Sequence, residues 1–226
     1  MRRSLGLAVG GVAALAALYA LVLRPWHLRW GATEEEVRRP LPGDALLSAP
    51  AVEATHAITI RASPEEVWPW LVQIGQGRGG LYSYDWLENL FGLDIHSADR
   101  ILPAHQDLAE GDVVPLAPSG FGPRVRRLVP HRTLLLHGDS REDPDPPVPL
   151  GPGEWVATTW VFHLEPLPGG RTRLLERFRY DHDPSLSKRL FDFGLEKVSF
   201  VMQRRMLLGL RDRAEGRGRY GAPPHG

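Results

Sequence analysis

Two parts of this chain gather side chains able to do acid–base or ligand chemistry. The first is Asp94-Ile-His96-Ser-Ala-Asp99, with Asp85 before it and His105 after it. A carboxylate that holds one nitrogen of an imidazole orients the other as a general base, so Asp85 or Asp99 beside His96 is a candidate pair. The competing use is structural: Asp94, Asp99 and Arg100 cap and stitch the loop after Gly92, and this use is the favoured one. A metal site needs three or four convergent ligands fixed by a pattern such as H-E-x-x-H or H-x-H; neither occurs here, and no metal is expected.

The second is Glu176. Along Arg171 to Tyr180, Leu174, Glu176, Phe178 and Tyr180 fall on one face of an alternating strand, and Arg173, Arg177 and Arg179 on the other. A lone carboxylate on the apolar face must be paired, protonated or turned to cavity water. An ion pair with one of the many arginines is the expected arrangement, with the opposite, arginine-bearing face in water. If the chain is an enzyme, Glu176 or His96 abstracts a proton next to a carbonyl, and Tyr180 or Arg78 stabilises the enolate. The glycines of Gly75-Gln-Gly-Arg-Gly-Gly80 are not a phosphate cradle, because the segment leaves a helix and lacks the Lys and Ser or Thr of a P-loop. Ser119 lacks the G-x-S-x-G context of a hydrolase nucleophile.

These residues need elements to position them. Ser63 and Glu66 form an S-x-x-E capping box with Pro64 at the first helical position, so a short helix starts there and ends at Gly75. Pro69 lies inside it and removes one backbone hydrogen bond. A second short helix runs from Ser83 to Gly92. His56 to Arg61 alternates, with Ile58 and Ile60 on one face, and is the first strand. Asp112 to Leu116, Arg124 to Val129 and Thr133 to His137 follow as strands. The clearest pair is Trp155 to Leu164 and Arg171 to Tyr180, joined by PLPGG, with Thr158, Trp160, Phe162 and Leu164 on the apolar face of the first. Glu142 to Gly153 reads as a proline-rich spacer. After Asp183-Pro184 a long amphipathic helix carries Phe191, Leu195, Val198, Met202 and Met206 as its stripe, with Gly194 and Gly209 beside it.

Lys+Arg and Asp+Glu each total 27, so no net field recruits nucleic acid, and none is expected as a partner. The cations are 25 arginines and two lysines, and there is no cysteine, which removes disulfides, thiolate ligands and a cysteine nucleophile. Leu5 to Leu23 is an uncharged apolar run that spans about 28 Å as a helix, enough to cross a bilayer. Arg2 and Arg3 before it, and Arg24, Trp26, Arg29 and Trp30 after it, suit interfacial anchors. The expected organisation is a transmembrane anchor over residues 1–24, a juxtamembrane linker over 25–53, a folded domain over 54–215 and a disordered tail over 216–226. The side of the membrane that holds the domain stays open.

Strand, two short helices, a run of antiparallel strands and one long helix is an order that resembles the helix-grip fold of the START-like, or SRPBCC, superfamily. The resemblance is closer to bacterial membrane-anchored members of undefined activity, through EEVWPWLVQIGQGRGGLYSYDWLENLFGLDIHSADRI, GDVVPLAP and FVMQRRMLLGLRDRAE. It implies an α+β domain in which a curved antiparallel sheet grips the C-terminal helix around a cavity for a hydrophobic ligand. Tyr84, Trp86, His96, Thr158, Trp160, Phe162, Glu176, Phe178 and Tyr180 are then the candidate ligand-binding residues. The leading expectation is a membrane-tethered domain that binds a hydrophobic small molecule or lipid without a cofactor. One alternative is a polyketide cyclase, aromatase or dehydratase-like enzyme. The other is a ligandless domain that binds a protein partner, favoured by a filled core and an exposed apolar patch.

Overall fold

The computed structural model describes residues 11, 14, 17–142, 151 and 153–217, with side chains throughout except at 186–193 and 195. The helices are α1 (Arg24–Leu28), α2 (Glu34–Arg38), α3 (Pro64–Val72), α4 (Asp85–Leu90) and α5 (Leu186–Ala214). The strands are β1 (Val52–Ile60), β2 (Arg124–Val129), β3 (Thr133–Asp139), β4 (Val156–Leu167) and β5 (Arg171–His182). They form one curved antiparallel sheet in the order β1-β5-β4-β3-β2, with α3 and α5 on its inner face. The α+β class and the terminal helix against a sheet are as expected from the sequence.

Local chemistry explains the boundaries. The capping box that opens α3 is formed in both directions, with the Ser63 N–H donating to Glu66 and the Glu66 N–H to the Ser63 hydroxyl. Gly75 and Gly80 then pair across the glycine corner, both at positive φ. Two strands differ in extent from the sequence reading. β1 begins at Val52 because β5 pairs with it from Tyr180 onward, and Asp112 to Leu116 contributes only a single bridge, Val113 to Arg124.

The inner-face core joins Ile58, Ile60, Trp160, Phe162, Leu164 and Leu174 to Val67, Trp70 and Leu71 of α3 and to Met206, Leu207 and Leu210 of α5. On α5 the inward stripe is rotated from the expected one. Val198 is 52% exposed, whereas Glu196, Gln203, Met206, Leu207 and Leu210 are buried. Glu196 is tolerated on the inward side because Arg24 of the N-terminal segment pairs with it. Gly209 lets α5 meet Tyr82: an added Cβ would fall well inside contact distance of the Tyr82 carbonyl oxygen.

The outer face of the sheet is not the wet arginine face anticipated above. Residues 29–47 lie across β1 and β5, with α2 capped by Thr33 and Glu36, and Leu41 packs on Leu135 and Val161. Arg177 is only 2% exposed, and its fork reaches the Thr55 hydroxyl, the Asp44 carboxylate and the carbonyls of Glu36, Val37 and Arg39. Arg173 pairs with Glu36, and Arg179 binds the carbonyls of Asp44 and Leu47. Burial of the Arg177 guanidinium is tolerable because three strap carbonyls, the Asp44 carboxylate and the Thr55 hydroxyl together accept from its five donors.

Among the described residues no helix is long and apolar enough to cross a membrane. Most of the run Leu5 to Leu23 lies outside the described residues, as do most of the proline-rich spacer, the tail beyond residue 217 and the side chains of Phe191 and Leu195.

Candidate functional site

The polar centre of the protein lies where β1, β5 and β4 face the N-terminal part of α5. Glu176 is fully buried, and so is His56 directly opposite it in the β1–β5 register. His56 Nδ1 lies 2.8 Å from Glu176 Oε2, and the Trp160 indole N–H donates to Glu176 Oε1 at 2.6 Å. His56 Nε2 donates to the carbonyl of His27 at 2.9 Å, since a carbonyl can only accept. One further proton therefore sits between Nδ1 and Oε2, making the pair either imidazolium–carboxylate or imidazole–carboxylic acid. Burial pulls the His56 pKa down most strongly, but the adjacent carboxylate and the two hydrogen bonds outweigh it, and the net shift is upward. The favoured form is the ion pair.

The N-terminal segment covers this pair. His27 is buried, its Nδ1–H donating to the Leu23 carbonyl at 3.1 Å. Its Nε2 has no hydrogen-bond partner and stands 3.7 Å from Glu196 Oε2, and burial lowers its pKa. Glu196 is in turn gripped by Arg24 through two bonds, of 3.0 and 2.6 Å. Between them remains a cavity of about 10 Å³ lined by His27, His56, Phe178, Glu196, Phe200 and Gln203. That is room for one water, not for a ligand. A larger groove of about 540 Å³ lies elsewhere, between Ser63–Glu65, the β2–β3 turn and the β4–β5 turn; it is open and walled by charges of both signs.

The sequence candidates separate into two groups. Glu176, Trp160, Phe162 and Phe178 share the inner face, where Trp160 contacts both phenylalanine rings at 4.9 and 6.3 Å. Thr158 and Tyr180 pair farther along the same strands; the Thr158 hydroxyl donates to the Arg179 carbonyl, and Tyr180 packs on His182. Tyr84, Trp86 and His96 are not at this centre. Trp86 is 69% exposed, Tyr84 contacts it from the start of α4, and the His96 side chain is exposed and bonded to Asp94 at 3.0 Å. Asp85 holds the backbone and hydroxyl of Ser97 instead of His96, so this carboxylate stitches its loop. Arg78 is part of the scaffold as well, donating to the carbonyls of Val72, Ile74 and His105.

The partner of Glu176 is thus a histidine and an indole, not an arginine. His56 carried a signal in the sequence, since it shares the alternation face of Ile58 and Ile60. His27, Arg24 and Glu196 carried none, because only the fold brings residue 27 to residue 196. Two further acidic sites emerge. Glu88 of α4 is 2% exposed with no hydrogen-bond partner on either oxygen, and burial, helped by the Asp85 charge, pushes its pKa up to about 7. His137, Asp139 and Glu142 place three possible metal-ligand atoms within 4.8 Å of one another, but Asp139 is bound by Arg141 through both oxygens.

No protein-family model matches the chain, and no curated protein does. Among solved structures it is similar to the Aha1 dimer from Colwellia psychrerythraea, at 21% identity over 73% of this chain and 96% of that one, with a TM-score of 0.40. A hypothetical protein from Helicobacter pylori aligns at 12% identity over 77% and 95%, TM-score 0.47, and a protein from Nitrosospira multiformis at 16% over 72% and 95%, TM-score 0.42. At these values the likenesses carry no information about ligand or activity.

Proposed function

We propose that this protein is a membrane-tethered helix-grip domain that takes up a hydrophobic small molecule or lipid between its sheet and α5, in space that α1 fills in the closed form. The observation that carries this reading is the nature of the plug. α1 is held by the Arg24–Glu196 pair, whose arginine is 43% exposed, by the bond from His56 to the His27 carbonyl, and by Trp26 and His27 against Phe200. Water reaches Arg24 and screens its pair with the buried Glu196 from one side, so an apolar molecule competes with a latch of few bonds. Beneath it lie the apolar side chains of Val52, Ala54, Phe178 and Phe200, with the Glu176–His56 pair as a polar fixing point. Such a mixture of apolar wall and few polar groups suits a small hydrophobic ligand.

The buried Glu176–His56 pair also supports a second reading, an acid–base enzyme of the cyclase or dehydratase type. Once α1 leaves, one group of the pair accepts a substrate proton while the other retains the shared one. Native mass spectrometry of the full chain, extracted gently from its host, tests the binding reading. A stoichiometric lipophilic mass that increases with Arg24→Ala supports it. Empty protein, with neither it nor Arg24→Ala gaining thermal stability from a lipophilic panel, sinks it.

A further inference from the structure

The outward side of α5 presents a surface that the core does not use. At about 100° per residue, Glu196, Gln203, Leu207 and Leu210 point inward, which turns Val198 and Val201 away from the sheet. These valines are 52% and 46% exposed. On one flank the N-terminal segment runs beside α5: Lys197 lies over Tyr19, Trp26 meets Phe200 edge-on, and Arg204 lies over Trp30. On the other flank Ser83 bonds the Met202 carbonyl, and Arg205 lies over Tyr84, whose neighbour is Trp86. Val198 and Val201 therefore sit between two further sets of exposed apolar side chains. One set is Leu21, Val22, Leu23 and Trp26; the other is Trp86, Leu90 and Phe91 on and just after α4.

The order along two of these elements is the same. In the N-terminal segment, exposed leucines and Val22 come first, then Trp26, then Trp30 under Arg204. On α5, Val198 and Val201 come first, then Arg204 and Arg205 on their tryptophan and tyrosine. Apolar side chains succeeded by an aromatic and arginine belt match the gradient from hydrocarbon to headgroup, where anionic phosphates meet the arginines. Residues 17–23, the described end of the apolar run, lead into this face.

We propose that this face is a second membrane contact: Trp86, Leu90, Phe91, Val198 and Val201 lie in the interfacial layer of the bilayer that holds the N-terminal run. The inference rests on the tethered reading above, and it sets the domain so that the α1 plug faces lipid.

The absence of cysteine makes the test direct. Val22→Cys, Leu90→Cys, Val201→Cys and, on the edge strand β2, Arg127→Cys are made singly in the full chain. Each is nitroxide-labelled and reconstituted in phosphatidylcholine vesicles containing phosphatidylglycerol. Oxygen and nickel-chelate collision rates are then compared. Expected are oxygen-to-nickel ratios at positions 22, 90 and 201 several-fold above that at 127. Positions 90 and 201 as aqueous as 127, with 22 in lipid, overturn the second contact and leave the tether standing. If 22 is aqueous too, the tether itself fails. Positions 90 and 201 shielded from both reagents mean that protein covers the face, and the lipid assignment is wrong.

Discussion

Glu176→Gln isolates the charge of the buried pair from its hydrogen bonds. The amide can keep every contact: its oxygen accepts from the Trp160 indole, and its N–H donates to Nδ1 of a neutral His56, whose Nε2–H still binds the His27 carbonyl. Above the folded pKa of His56 the substitution should therefore cost only about 1 kcal/mol, the scale of one altered hydrogen bond. Acid changes this. In the native protein the His56 pKa is raised, so its contribution is fully present below the unfolded value near 6.5 and is lost as pH rises through the folded value. In the variant the carboxylate's charge and hydrogen bond are gone, and burial, the largest influence, outweighs the remaining bond to the His27 carbonyl and lowers the pKa, so the folded state binds fewer protons than the unfolded one below about pH 6.5. The variant then loses about 1.4 kcal/mol per pH unit, or about 2 kcal/mol between pH 6.5 and pH 5. Urea unfolding of the full chain in mild detergent, followed by tryptophan fluorescence at pH 8 and pH 5, reads the gap between the two proteins. A gap that does not widen on acidification would refute the ion-pair assignment. Glu176→Leu serves as the contrast, because it strands the indole N–H and Nδ1 and should destabilise by about 3–5 kcal/mol.

Glu88 should give a pH dependence of opposite origin. Its folded pKa of about 7 exceeds the unfolded value, so stability falls as pH rises from 4.5 to 7, by at most about 3 kcal/mol. Glu88→Gln should flatten that slope in the same unfolding experiment, and an unchanged slope assigns it to another group. Gly209→Ala should lower the melting temperature, because overpacking against the Tyr82 carbonyl, about 1–3 kcal/mol, exceeds the helix-propensity gain of about 1 kcal/mol. A rise in melting temperature would mean that α5 has room to shift. Arg177→Lys keeps the charge but not the fork, leaving carbonyls of the 29–47 strap unpaired; a loss of about 2–4 kcal/mol is expected. Trypsin should then cut earlier after Arg38, and an unchanged cleavage time would show that Arg177 does not hold the strap.

What the sequence determined is local. The Ser63–Glu66 box with Pro64 starts α3, the strict alternation of 171–180 fixes which side chains of β5 share a face, and PLPGG closes the β4–β5 hairpin, because each depends on neighbours within a few residues. The burial of Glu176 was legible for the same reason, as was the apolar run of 5–23 as a candidate anchor. The site was not. Its members come from residues 24, 27, 56, 160, 176 and 196, and the pairing of the first strand with the last sets His56 against Glu176, a choice no local pattern encodes. The outer face shows the limit most clearly. Three arginines in alternation read as solvated because periodicity reports which residues share a face, not what covers it. The cover is a polar, proline-bearing segment with little hydrophobic signal, held by carbonyl oxygens that every residue possesses. Tertiary structure alone decided that Arg177 is buried beneath it, with Arg173 and Arg179 half-buried, and that α1 covers the Glu176–His56 pair.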